Sequence, residues 1–159
     1  MKKIKLILAL TVALAMLLLV ACSGNKTDTD ELYVEYKGVK VVMGADADEI
    51  IDALGEPIDS YEIGDCGGLG AQVLYSYPSL DIYVLESKSG NVIDAISFRD
   101  DIVATTEGVY IGMEIDEAKA LMGESDNETA KQLDYKKGDF TVSVVFADGA
   151  VSAISYETN

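Results

Sequence analysis

The chain has 159 residues, 28 acidic against 12 basic and no histidine, for a net charge of −16 at pH 7. A surface of that sign repels phosphate backbones and anionic headgroups, which excludes nucleic acid as an expected partner, and the missing histidine removes the commonest general base, the usual zinc ligand and every Ser-His or Cys-His arrangement. Apolar content of 49% with only two prolines is the composition of a globular chain.

Lys2, Lys3 and Lys5 precede an uncharged run from Leu6 to Val20, the shape of a secretory signal over residues 1–21. Its ending, Leu19-Val20-Ala21-Cys22, resembles a bacterial lipobox, which implies a lipid on Cys22 and an extracytoplasmic domain tethered to the cell membrane. The rival reading is an uncleaved anchor, but the run is shorter than the roughly 20 residues that span a bilayer. Two or more acyl chains hold a protein stably on its membrane. Residues 22–31 continue as a polar tether with nothing to bury. Losing three lysines with the signal makes the mature chain still more acidic. That charge keeps an exported domain dispersed, or suits loosely held divalent cations or a basic partner. Once Cys22 is lipidated Cys66 has no internal disulfide partner, and its setting, GDCGGLG, holds no cation to stabilise a thiolate. It reads as a small buried hydrophobe or as a free exported thiol.

Leu32 to Met43 is rich in Val and Tyr and predicts a short strand interrupted near Gly38. Asp46 then stands at a helix N-cap, with Glu49 at capping-box spacing, and Ala47, Ile50, Ile51 and Leu54 form one apolar stripe. Gly55 and Pro57 end this helix, which is too short to persist alone in water. Ile58 to Ile63 is a strand or irregular, and Gly64 to Gly70 a loop. Alternating segments Ala71 to Tyr77, Leu80 to Glu86 and Val92 to Phe98, joined by turn residues, predict antiparallel strands.

The pattern VMGADADEIIDALGE, Val42 to Glu56, returns as YIGMEIDEAKALMGE, Tyr110 to Glu124. Glu114 replaces Asp46 at the cap, and the stripe is Ile115, Ala118, Leu121 and Met122. Strands are expected at Ala130 to Lys136, Phe140 to Phe146 and Ala150 to Tyr156, with Asp148-Gly149 a favoured type I′ hairpin pair. Asp94-Ala95-Ile96-Ser97-Phe98 matches Ser152-Ala153-Ile154-Ser155-Tyr156. The expected fold class is therefore α+β, built as tandem duplicated units at 32–104 and 105–159. Each unit is a short helix on an antiparallel sheet of three to four strands.

Gly112-Met113, Glu117, Met122-Gly123 and the closing hairpin FADGAVSAISY are similar to the helix-plus-sheet repeat of outer-membrane assembly lipoproteins of the SmpA/OmlA (BamE-like) type and of beta-lactamase inhibitor protein (BLIP-like). The first copy departs from that pattern, with Ala45 where Met113 stands and Asn91 where Gly149 stands. Together with Asp65-Cys66-Gly67 and Thr105-Thr106-Glu107-Gly108, the chain also resembles uncharacterised lipoproteins of Gram-positive, clostridial-type bacteria. The resemblance implies a protein-binding fold without catalysis, and transfers no partner.

No nucleophile elbow is present. The acidic clusters Asp46/Asp48/Glu49 and Glu124/Asp126/Glu128 lack the alternating ligands and central glycine of a calcium loop. No metal site, cofactor or catalytic residue is therefore assigned. Tyr75, Tyr77, Tyr83 and Tyr135 are the candidate binding residues: outward rings on a sheet face would give rigid contact area with a polar tip, while the alternative is that they pack in the core. Tyr135 is taken as the counterpart of Tyr75. Two functions remain: a membrane-anchored interaction module for an envelope protein partner, or an envelope lipoprotein that binds a solute or divalent cation. The anchor itself is open to test: the wild-type chain should incorporate labelled palmitate and migrate at the mass of a chain cut before Cys22, with Cys22→Ser abolishing both, whereas a wild-type chain of full length that carries no label would mark an uncleaved anchor.

Overall fold

The computed structural model describes residues 31–65 and 70–159. The expected signal, Cys22 and nearly all of the tether lie outside the described residues, as does Cys66. Among the described residues no helix is long and apolar enough to cross a membrane. Among the described residues the architecture is α+β, two short helices with one two-stranded and one eight-stranded sheet.

Strands β1 (Tyr33–Tyr36) and β2 (Val39–Val42) form a hairpin rather than a single interrupted strand. Its turn residues Lys37 and Gly38 both have positive φ, 52° and 80°, as a two-residue type I′ turn requires. Lysine is not a residue that advertises such a turn, so the sequence pattern does not show it. The hairpin buries Val34, Tyr36 and Val41.

Helix α1 (Ala47–Leu54) begins where the cap signal places it. Asp46 Oδ1 accepts from the Asp48 N–H at 3.0 Å, one residue earlier than the capping-box spacing expects. Ala47 and Leu54 are buried and Ile50 and Ile51 pack beside them; a leucine buried in this way contributes about 1.5–3 kcal/mol. Helix α2 (Ile115–Met122) has no side-chain cap at Glu114. Its stripe is narrower than expected, because Leu121 is 45% exposed while Ala118 carries the burial.

The large sheet collects β3 (Asp59–Asp65), β4 (Ala71–Ser76), β5 (Leu80–Ser87), β6 (Gly90–Phe98), β7 (Asn127–Glu128), β8 (Gln132–Lys137), β9 (Phe140–Ala147) and β10 (Ala150–Thr158). Their spatial order is β3-β4-β5-β6-β10-β9-β8-β7. Every neighbouring pair is antiparallel, and the two four-stranded halves meet only where β6 pairs with β10, at Ala95/Glu157, Ile96/Tyr156 and Ser97/Ser155.

Contacts in one half recur in the other. Gly44 N–H donates to Ile93 O at 2.8 Å and Gly112 N–H to Val151 O at 2.8 Å. The reverse bonds run from Ile93 N–H to Ala45 O at 3.0 Å and from Val151 N–H to Met113 O at 2.8 Å. Register shifts leave Asp94 in β6 and Ser152 in β10 as the extra residues of two bulges. Past each helix, a tyrosine hydroxyl donates to the carbonyl of the terminating glycine, Tyr77 to Gly55 at 3.1 Å and Tyr135 to Gly123 at 3.5 Å.

Helices and hairpin share one face of the sheet, and a single core cluster runs through both halves along Ile82, Ile96, Tyr156, Val142 and Tyr135. Val103 and Val109, from the connector between the halves, enter the same core. Tyr156 sits at its centre, fully buried, its ring 5.7 Å from that of Phe98. Among the described residues its hydroxyl has no hydrogen-bond partner, and burial first, then the Glu107 charge, push its pKa far upward.

These hydroxyls generate opposite expectations. Tyr77→Phe loses a bond worth about 1 kcal/mol net and should lower stability in urea unfolding by that amount, whereas Tyr156→Phe removes an orphaned polar atom and should leave stability unchanged or raise it. Because the folded-state pKa of Tyr156 lies above its unfolded value, its contribution is intact below the ordinary phenol pKa of about 10 and is lost as pH climbs beyond it. Tyr156→Phe should therefore move the alkaline unfolding midpoint upward; a midpoint that stays put would show that Tyr156 does not limit alkaline stability.

Candidate interaction surface

The face of the large sheet opposite the helices is built by residues that alternate with the core positions. One row crosses all eight strands through Asp59, Ser76, Asp81, Ser97, Ser155, Ser143, Asp134 and Asn127, with no apolar member. Its short side chains bond to one another. Ser76 Oγ donates to Asp81 Oδ1 at 2.6 Å, and Ser143 Oγ to Asp134 Oδ1 at 2.8 Å. Arg99 Nη1 also reaches Asp81, at 3.2 Å, while Asn127 and Gln132 donate to Asp134 at 2.8 and 2.7 Å. Burial works against the Asp134 carboxylate, but the bonds from Asn127, Gln132 and Ser143 outweigh it and hold its pKa below the ordinary value.

The adjacent row runs Tyr61, Leu74, Tyr83, Ala95, Glu157, Thr141 and Lys136. Its first three members are apolar-bodied. Ala95 is small where Tyr83 and Glu157 on either side are long, and a depression of about 360 Å³ opens there, lined also by Gln72, Asp94, Ser97 and Thr158. The β6 bulge turns Asp94 toward this hollow, as bulges re-aim side chains: Gln72 Nε2 donates to Asp94 Oδ2 at 2.8 Å, and Thr158 Oγ1 to Asp94 O at 3.0 Å. Glu157 Oε1 accepts from Ser155 Oγ at 3.1 Å. Neither carboxylate has a salt-bridge partner among the described residues. Burial and the Asp81 charge push the Tyr83 pKa up against the opposing hydrogen bond with Ser97, so the phenol stays neutral and available as a hydrogen-bonding group. The hollow is polar, and its walls come from both halves of the chain.

Of the four candidate tyrosines the structure brings only Tyr83 to this face. Tyr77 and Tyr135 are 0% and 4% exposed and their rings belong to the core, with the hydroxyls spent on helix-ending carbonyls. Tyr75 pairs across from Ile82 and packs against the same core. The expectation of an outward cluster is thus corrected: strand parity places Tyr75, Tyr77 and Tyr135 beneath the helices. Tyr135 is the counterpart of Tyr77, not of Tyr75, an assignment that the sequence offset relating Ala95 to Ala153 already contains. Sequence reasoning misses Tyr61, 54% exposed on the open face, because Ile58 to Ile63 carries no pattern that separates strand from irregular chain.

The acidic clusters have structural work. Asp46 caps α1, and Asp48 Oδ1 accepts from Asn91 Nδ2 at 3.0 Å. Asp126 Oδ2 accepts from the Lys136 N–H at 2.7 Å, and Glu128 pairs with Lys119 at 2.7 Å. Among the described residues no three His, Cys, Asp or Glu side chains converge as a metal-holding group. No family model matches the chain, and no curated protein or solved structure matches it either, so the surface geometry carries the functional argument.

Proposed function

We propose that this protein is an extracytoplasmic lipoprotein, held at the membrane through lipid on Cys22, that binds a protein partner of the cell envelope without catalysing a reaction. The observation that carries this reading is the sheet face opposite the helices, which no described helix or strand covers: a broad surface with Tyr61 and Tyr83 beside a polar hollow. Tyrosines of this kind supply contact area with a polar tip, and recognition surfaces combine such anchors with a polar rim. The strong negative charge favours a basic partner.

The same proposal takes the chain as two BLIP-like copies of one helix-plus-sheet unit. The paired bulges at Asp94 and Ser152, the reciprocal backbone bonds at Gly44 and Gly112, and the Tyr77 and Tyr135 hydroxyl bonds support it. A second reading, binding of a small cationic solute or divalent cation, is favoured by one feature, the Asp94 and Glu157 carboxylates at the same hollow.

Crosslinking followed by capture of the full chain from envelope extracts separates the two. A protein partner should be recovered, with yield falling at least about tenfold for a Tyr61→Ser, Glu157→Lys variant, since anchors at a binding surface dominate its energy. Recovery of no protein, with calcium or an organic cation raising the melting temperature of the wild type but not of Glu157→Lys, would replace the first reading by the second.

A further inference from the structure

The two edges of the large sheet are unequal. At one end β7 has two residues and offers little backbone to pair with. At the other, β3 has seven residues, all exposed except Gly64, and among the described residues no strand lies on its outer side. An edge of that length is a template for another strand unless it is defended.

The defence on β3 is selective. Asp59, Glu62 and Asp65 make it acidic with no basic residue, and neither Asp59 nor Glu62 forms a salt bridge among the described residues. Pairing with a second copy over its full length would set Glu62 against Glu62 and Asp59 against Asp65, a like-charge arrangement that opposes self-association. Yet Tyr61 and Ile63 remain 54% and 47% exposed between those charges. The bulge at Ile63 bends the far end, leaving Asp59–Glu62 as the regular stretch. Tyr61 and Asp59 lie on the open face and Glu62 on the helix side, as their β4 partners Leu74, Ser76 and Val73 fix.

We propose that the outer edge of β3 accepts an extended, basic segment of the partner protein as a ninth, antiparallel strand. The segment reads basic, apolar, any residue, basic: cations stand opposite Glu62 and Asp59, and an aliphatic side chain stands opposite Tyr61, whose inner side already meets Leu74. Main-chain hydrogen bonds supply affinity, and alternate side chains supply selectivity. This inference rests on the interaction-module reading but uses the sheet edge, not the hollow at Glu157.

The test uses the full chain in detergent, with a blocked peptide that repeats lysine, valine, threonine as probe, which sets lysines three positions apart as Glu62 and Asp59 are, and its glutamate counterpart as control. The lysine peptide should bind and slow amide exchange at 59–62. The double variant D59K/E62K should weaken that binding by about tenfold or more and bind the glutamate peptide instead, because cross-strand charge pairs change sign together. Glu157→Lys should leave the lysine peptide's affinity within about twofold, so failure at the open face and failure at the edge are distinguishable. Equal affinity for both peptides, no binding of either, binding that follows Glu157→Lys rather than the edge pair, or protection of β3 by self-association in sedimentation would each overturn the proposal.

Discussion

Three residue pairs between β6 and β10 make one sheet out of two halves. Everything on either face depends on that junction. On the covered side it brings Phe98 against Tyr156 and lets a single core run beneath both helices. On the open side it sets Glu157 of the last strand across from Ala95, which creates the hollow beside Tyr83. A slip of one residue in this register would send Tyr156 to solvent and Ser155 into the core, so burial of Tyr156 fixes the register even though its hydroxyl is unpaired among the described residues.

The two halves agree where backbone geometry is at stake and differ where surface chemistry is. Ser76 bonded to Asp81 corresponds to Asp134 bonded to Ser143, the same contact with donor and acceptor exchanged between strands. By contrast the bulge residue is Asp94 in one half and Ser152 in the other, and Tyr83 stands where the second half has Val145. If the halves descend from one unit, as we propose, the hollow occupies positions that the fold leaves free to vary. A bulge needs no carboxylate to form, and a strand needs no tyrosine at that register.

Much of the fold was readable because its signals are local. Asp46, the α1 stripe and Gly55 mark a helix within one short stretch, and the alternation in Phe140–Ala147 and the Asp148-Gly149 pair mark a hairpin. The failures were non-local or lacked a signal. Two-residue β7 is too short to carry a period, and the Lys37-Gly38 turn has lysine where asparagine or aspartate would announce it. The tyrosines are the instructive case. Alternation marks their strands, but which face each ring takes depends on strand parity relative to the helices, and of the four only Tyr83 lies on the outward side. The hollow was not readable at all, since the β6–β10 register joins residues distant in sequence and no local pattern records it.

The central claim is that the sheet face opposite the helices, and not the helix-covered side, meets a partner. Photo-crosslinking residues placed one at a time at Tyr83 and Ser97 on the open face, and at Leu121 on the exposed flank of α2, test it most directly in membranes of the native cell. The account predicts discrete adducts to one envelope protein from 83 and 97 and none from 121; adducts from 121 alone, or from no position, would contradict it.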